Sequence, residues 1–320
     1  MTERRWGITI PLAGVPLHAH RDWFARLAAE GYTDVWSSET NAHDAFTPLA
    51  MAAAWEPSLR LGVAVVPVYT RGPALLAQSV AALADAAPGR VAVGLGASSP
   101  AIVERWNGLE FDRPYQRVRD TLRFLRTALT GEKVTHDYET FSVRGFRLGV
   151  RPPEPPALLL GALRSGMLRL AGSEADGAVV NWLSPDDVRT VVPHVGEGRE
   201  IAVRLFVIPT DDAEAARGLG RRMIAEYLNV PVYAAFHEWL GRGELLTPMW
   251  EAWRSGDRAG ALEAVPDAVV DDLVIHGSPE ACRERVEAYV DAGITTPMPM
   301  VIAPPDQLPE VIHALGPGAP

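Results

Sequence analysis

The sequence predicts a (β/α)8 barrel with insertions. Three observations carry that expectation. Eight short apolar runs recur along the chain, nearly continuous in hydrophobic residues, as strands buried on both faces are. Segments with helical periodicity separate them. No switch in strand order of the kind an open doubly wound sheet needs is evident.

The strand-like runs cover residues 6–11, 33–36, 60–67, 90–95, 157–161, 177–181, 201–208 and 296–302. Between the first two, residues 20–30 place Trp23, Phe24 and Leu27 on one helical side, and Gly31 ends the pattern as a left-handed stop. Residues 73–86 repeat Leu75, Leu76, Val80 and Leu83 at helical spacing, and 117–129 repeat Val118, Leu122, Leu125 and Leu129. Near the end, Ser278 and Pro279 form an N-cap and first-turn pair for a helix over 283–292, which Gly293 stops.

Two stretches break the rhythm of this single domain over 1–320. Residues 131–156 alternate polar and apolar positions and close on a proline-rich linker, which reads as a hairpin or loop insertion. Residues 211–272 are too long for one crossover helix and should hold three or four, with Trp239, Trp250 and Trp253 among them. The GPGAP tail is expected to fray.

Forty acidic against thirty basic side chains give a net charge of −10, which argues against nucleic acid or an anionic membrane as partner. No window reaches the roughly 18 apolar residues of a membrane helix. The N-terminal apolar run is too short for a signal peptide, and the single Cys282 has no partner for a disulfide; both fit a reducing cytoplasm. The eight His are scattered, without ligand spacing, so no metal site is expected. His18 and His20 read as surface residues.

In such a barrel the site forms where the strands end. The fifth run ends in Ala162-Leu163-Arg164-Ser165-Gly166 and opens a helix. Unpaired N–H groups at a helix start, an Arg, a hydroxyl and a Gly suit a phosphate. The fourth run ends in Gly94-Leu95-Gly96-Ala97-Ser98-Ser99. A dinucleotide fingerprint would need a third Gly where Ser99 stands, and an acidic strand end where Asp120 sits within a helix. The small residues instead leave room for a flat ring. Glu39 and His43 are the acid/base candidates after the second run. The plainer readings are an ion pair of Glu39 with Arg71 and a helix entry for His43 beside a capping Asp44. Trp106 and Trp182 are the candidate walls on the substrate side. There is no P-loop and no nucleophile elbow.

Taken in order, VWSSE at 35–39, DAFTPLA at 44–50, LGVAVVPVYTRGP at 61–73, GRVAVGLGASSP at 89–100, Trp106-Asn107-Gly108, LGALRSGMLRLAGSEADG at 160–177 and HGSPEACRERVEAYVDAGIT at 276–295 resemble the luciferase-like monooxygenase superfamily. The similarity is to its coenzyme F420-dependent, methylene-tetrahydromethanopterin reductase-like branch. The resemblance implies a homodimeric oxidoreductase that exchanges hydride between a deazaflavin and a small organic substrate. It implies that Ala64 and Val65 form a non-proline cis peptide behind the ring. It further implies that Ala97 and Ser98 contact ring and tail, that Ala162, Leu163, Arg164, Ser165 and Gly166 hold the phosphate, and that Glu39 and Thr40 edge the ring. Thr40 and Ser99 stand where the sugar-phosphate dehydrogenases of the superfamily carry a His and a Glu, so that activity is not expected. An FMN-dependent two-component monooxygenase and a non-catalytic cofactor-binding barrel are the alternatives.

Overall fold

A computed structural model describes residues 4–318. In chain order, β1 (Gly7–Thr9), α1 (Arg21–Ala29), β2 (Asp34–Ser37), α2 (Phe46–Trp55), β3 (Arg60–Pro67), α3 (Pro73–Ala86), β4 (Val91–Gly96) and α4 (Pro114–Ala128) build the first half. A hairpin, β5 (Val134–Asp137) and β6 (Ser142–Phe146), follows. The second half begins with β7 (Ala157–Gly161), α5 (Ser165–Glu174), β8 (Gly177–Asn181), α6 (Pro185–Val195) and β9 (Glu200–Pro209). Five helices come next: α7 (Ala213–Leu228), α8 (Pro231–Trp239), α9 (Gly243–Ser255), α10 (Arg258–Glu263) and α11 (Asp267–Leu273). The chain ends with β10 (Val274–Gly277), α12 (Pro279–Asp291), β11 (Thr296–Val301) and α13 (Leu308–Leu315).

The strands pair in parallel in the order β1-β2-β3-β4-β7-β8-β9, and β11 pairs with β9. β11 then lies beside β1: the Arg5 N–H donates to the Thr295 carbonyl at 3.1 Å, and Thr9 Oγ1 to the Met298 carbonyl at 3.2 Å. These contacts bring the ends of the sheet together as a nearly closed eight-stranded barrel, and its strands are the eight apolar runs. One strand was not legible. β10 pairs with Phe206–Pro209 of β9, past the point where β8 ends. Its four residues follow α11 without a turn, so no punctuation marks them. The long segment before it holds five helices rather than three or four.

Alternation along the strands decides what lies inside. Trp36, Ala64, Ala92, Leu159, Val179, Ala202 and Met298 form the barrel interior. Trp36 is fully buried and fills the floor. Gly62 makes room for it: a Cβ there would stand 2.1 Å from the indole. Below the indole, the first residues of β2, β3 and β9 meet. Arg60 makes two 2.7 Å hydrogen bonds to Glu200 and one of 3.1 Å to Asp34, and Thr296 donates to Glu200 at 2.9 Å. Burial opposes ionisation of both carboxyls. Arg60 nonetheless holds Glu200 below its ordinary range, while burial keeps Asp34 above its own. The bottom is thus closed by an aromatic plug and a paired charge cluster, and the opposite end stays open.

Outside the barrel, Ser278 caps Ala281 at 3.2 Å, and Gly31 and Gly293 stop their helices at positive φ, as expected. Two expectations fail locally. Leu75 is exposed on α3, because the buried face of the helix runs through Leu76, Ala77, Val80, Ala81, Leu83 and Ala84. His20 is buried rather than at the surface: its Nε2 accepts the Leu12 N–H at 2.9 Å and its Nδ1 lies 3.1 Å from the Pro16 carbonyl. Burial lowers its pKa, so the ring serves as a neutral brace for the β1 loop. Of the GPGAP tail, Gly316 is held by Arg283 through its carbonyl at 2.7 Å, and the last two residues lie outside those described. Among the described residues no helix is long and apolar enough to cross a membrane.

Candidate functional site

A cavity of about 700 Å³ opens at the C-terminal ends of β2, β3, β4, β7, β8 and β9, roofed in part by α7 and α8. Glu39, Thr40, Ala64, Val65, Ala97, Ser98, Ala162, Leu163, Arg164, Ser165 and Gly166 all line it. Residues from four strand ends, up to 127 positions apart in number, thus converge as the barrel reading requires (39 to 166).

The floor is built by a bulge. The register between β3 and β4 shifts between Ala64 and Val66, and the Ala64–Val65 peptide is cis. The Val65 side chain leans over a seat of three glycines. A Cβ on Gly96 would stand 2.3 Å from it, on Gly94 3.0 Å and on Gly161 3.3 Å. The glycines that leave room for a ring in the sequence reading therefore first leave room for Val65, which becomes the surface against which a ligand can lie.

At one end of this floor α5 begins. Arg164 occupies its N-cap in extended conformation, without a side-chain cap, and no acidic residue stands in the first turn. The N–H groups of Ser165, Gly166 and Met167 therefore lack helical partners. The Arg164 guanidinium is exposed and makes no ion pair among the described residues. Nothing lies within 4 Å of a Cβ placed on Gly166, so the turn is an open cradle. Nearby, Ser98 adopts φ 69°, a conformation rare for a side-chain-bearing residue, and its buried Oγ has no partner. An orphaned hydroxyl, free amides and a free guanidinium together fit a phosphate-bearing ligand.

The remaining sequence-predicted residues separate. Glu39 does line the cavity, but Arg71 takes both its oxygens at 2.7 Å and the Ala45 N–H donates to Oε2 at 3.1 Å. The ion pair is thus the reading the structure favours. His43 is exposed and outside the cavity lining, while Asp44 caps α2 through the N–H groups of Phe46 and Thr47. Trp106 sits on a π-helical turn over Ala101–Trp106, 57% exposed and away from the lining. Trp182 is 1% exposed. Its φ of 55° turns it away from the mouth to stack on Phe206 at 4.1 Å, beneath Tyr227. Both tryptophans therefore stand apart from the cavity, one exposed and one as core.

The sequence reading missed Arg204. It is the one charged side chain in the apolar run 201–208, and alternation from Ala202 points it inward. It lines the cavity and donates to the Ala64 carbonyl at 2.5 Å, while its buried Nε has no partner. Asn181, its register partner on β8, and Tyr233 from α8 stand beside it. A charge inside a buried strand was the available signal.

Comparison with known proteins bears on the family and the fold. A 5,10-methylenetetrahydromethanopterin reductase from Methanolobus tindarius is 27% identical over 288 residues, covering 85% of this chain and 87% of that protein. The coenzyme F420-dependent tetrahydromethanopterin reductase of Methanopyrus kandleri shares the fold at a TM-score of 0.80 and 22% identity, over 99% of each chain. The oxygenating constituent of 3,6-diketocamphane monooxygenase from Pseudomonas putida, solved with FMN, shares it at 0.64 and 18%, over 99% of this chain and 98% of that one. The family model described as luciferase-like monooxygenase matches residues 6–296. That match spans most of the chain, and the chain belongs to the luciferase-like monooxygenase family.

Proposed function

We propose that this protein is a coenzyme F420-dependent oxidoreductase that exchanges hydride between the deazaflavin and a small organic substrate. The observation that carries the reading is the pairing of a flat apolar floor at Val65 with a free anion cradle at the start of α5. The reductase relatives support F420 over other phosphorylated ligands. When bound, the deazaflavin supplies a carbon centre that carries hydride and reacts poorly with oxygen.

The residues of the chain then have positioning tasks. Arg164, Ser165 and the first N–H groups of α5 hold the phosphate, and Ser98 Oγ adds a donor. Ala64 and Val65 back the ring. Ala97, Ala162 and Leu163 narrow the opening, while Glu39, locked by Arg71, sets the ring edge together with Thr40. The tyrosines of α7 and α8 cover the opposite side and exclude water. We further place the protein in the reducing cytoplasm, as a homodimer. The lone Cys282 is buried, which pushes its thiol up to about 12 and leaves it unreactive.

Titration of the apo-protein with F420 and with FMN, followed by cofactor fluorescence, tests this reading. We expect F420 to bind at least about tenfold more tightly, a difference of about 1.4 kcal/mol. Preferred FMN binding, with oxygen consumed in the presence of reduced FMN, would instead establish the two-component monooxygenase.

A further inference from the structure

We infer that Arg204, with Asn181 and Tyr233 beside it, anchors a carboxylate of the substrate. The inference rests on the proposed cofactor reading and adds to it the class of substrate.

Arg204 is a part-buried cation, its Nε fully buried, without a counter-ion among the described residues. Its only hydrogen bond among the described residues goes to the neutral carbonyl of Ala64, and its Nε is orphaned. Among the described residues no carboxylate lies within ion-pair distance, in a chain whose acidic side chains outnumber its basic ones by forty to thirty. Two other interior arginines are paired, Arg60 with Glu200 and Asp34 and Arg242 with Asp187 and Asp272, and Arg117 lies instead over the rings of Tyr69 and Phe141. A desolvated charge normally finds a partner inside the protein or receives one from a ligand. Burial accordingly pulls the Arg204 pKa below its ordinary value.

The neighbours point to the substrate rather than to the cofactor phosphate. That phosphate already has its own cradle beyond β7, whereas Arg204 stands on β9, with Asn181 on β8 as its register partner. The Tyr233 hydroxyl lies 3.1 and 3.2 Å from the two amide atoms of Asn181. Burial raises the Tyr233 pKa, so the hydroxyl remains a donor. The three side chains present a planar fork, an amide and a hydroxyl at one corner of the cavity, matching a planar anion with two oxygens. Tyr233 comes from the helical insertion, so the corner is completed by the part of the chain that is additional to the barrel.

The experiment uses the F420-loaded protein. Isothermal titration with benzoate and benzamide, and with hexanoate and hexanamide, compares each acid with its neutral isostere. At least one acid is expected to bind about tenfold or more tightly than its amide. That preference should vanish in Arg204→Met, persist in Arg204→Lys and weaken in Tyr233→Phe, which also serves if Arg204→Met does not fold. Equal binding of acids and amides, no binding of either acid, or a preference that survives Arg204→Met would overturn the inference. So would a loss of F420 affinity in Arg204→Met in place of the lost preference, which would reassign the guanidinium to the cofactor. Failure of the wild-type protein to bind F420 is a separate result and removes the cofactor reading itself.

Discussion

Replacing Arg164 and Ser165 together by alanine is expected to weaken F420 binding by about tenfold to a hundredfold. Among the described residues the guanidinium makes no ion pair, so its removal leaves no buried partner stranded. On the proposed reading, what is lost is a charge-assisted contact with the cofactor phosphate, about 1.5–3 kcal/mol. The backbone N–H groups of α5 remain, which sets the upper end of the range. Because the side chain is exposed, thermal stability should change little, by about 0.5 kcal/mol or less. The wild-type contact should also weaken with added salt. Fluorescence titration of the variant and of the wild type at low and high ionic strength reads both effects. Unchanged affinity would detach this turn from the cofactor.

The largest effect on stability is expected at the opposite end of the barrel. Arg60→Met leaves two carboxylates, Asp34 and Glu200, buried without their main counter-ion. Removing one partner of such a cluster costs about 3–5 kcal/mol. The pH dependence distinguishes this from a simple packing loss. In the wild type Glu200 is held below its ordinary pKa, so its contribution is full above that ordinary value and is lost as pH falls through the lowered one. Asp34 is raised and acts in the opposite sense: its penalty is relieved as pH falls. Without Arg60 both groups follow the second pattern. The deficit measured by urea unfolding should therefore shrink as pH is lowered from 7 towards the ordinary carboxylate range near 4. A deficit of the same size at both pH values would show that lost packing, not stranded charge, is responsible.

The architecture was legible because burial on both faces writes parallel strands as apolar runs, and helix stops such as Gly31 and Gly293 punctuate the rest. The helix start at Arg164 was legible because such a start is a local feature, readable from a few consecutive residues. The resemblance named Ser98 as a candidate, but its positive φ and its orphaned hydroxyl were not legible. What stayed hidden depends on contacts distant in sequence. For Glu39 the sequence offered both a free acid and a pair with Arg71, 32 positions away, and could not choose, because a strand-end carboxylate reads the same whether free or paired. Trp182 follows a strand end like a wall residue, yet a single left-handed dihedral turns it into the core. The seat of Val65 needs Gly94, Gly96 and Gly161 from two strands, and only the bulge explains why all three lack side chains.

The most direct measurement is a crystal structure of the protein soaked with F420. Density for a planar ring on Val65, with its phosphate at the amides of Ser165 and Gly166 and at the Arg164 guanidinium, is the expected result. A ring bound elsewhere, or a phosphate facing away from the start of α5 while the 700 Å³ cavity stays empty, would contradict the assignment of this cavity to the cofactor.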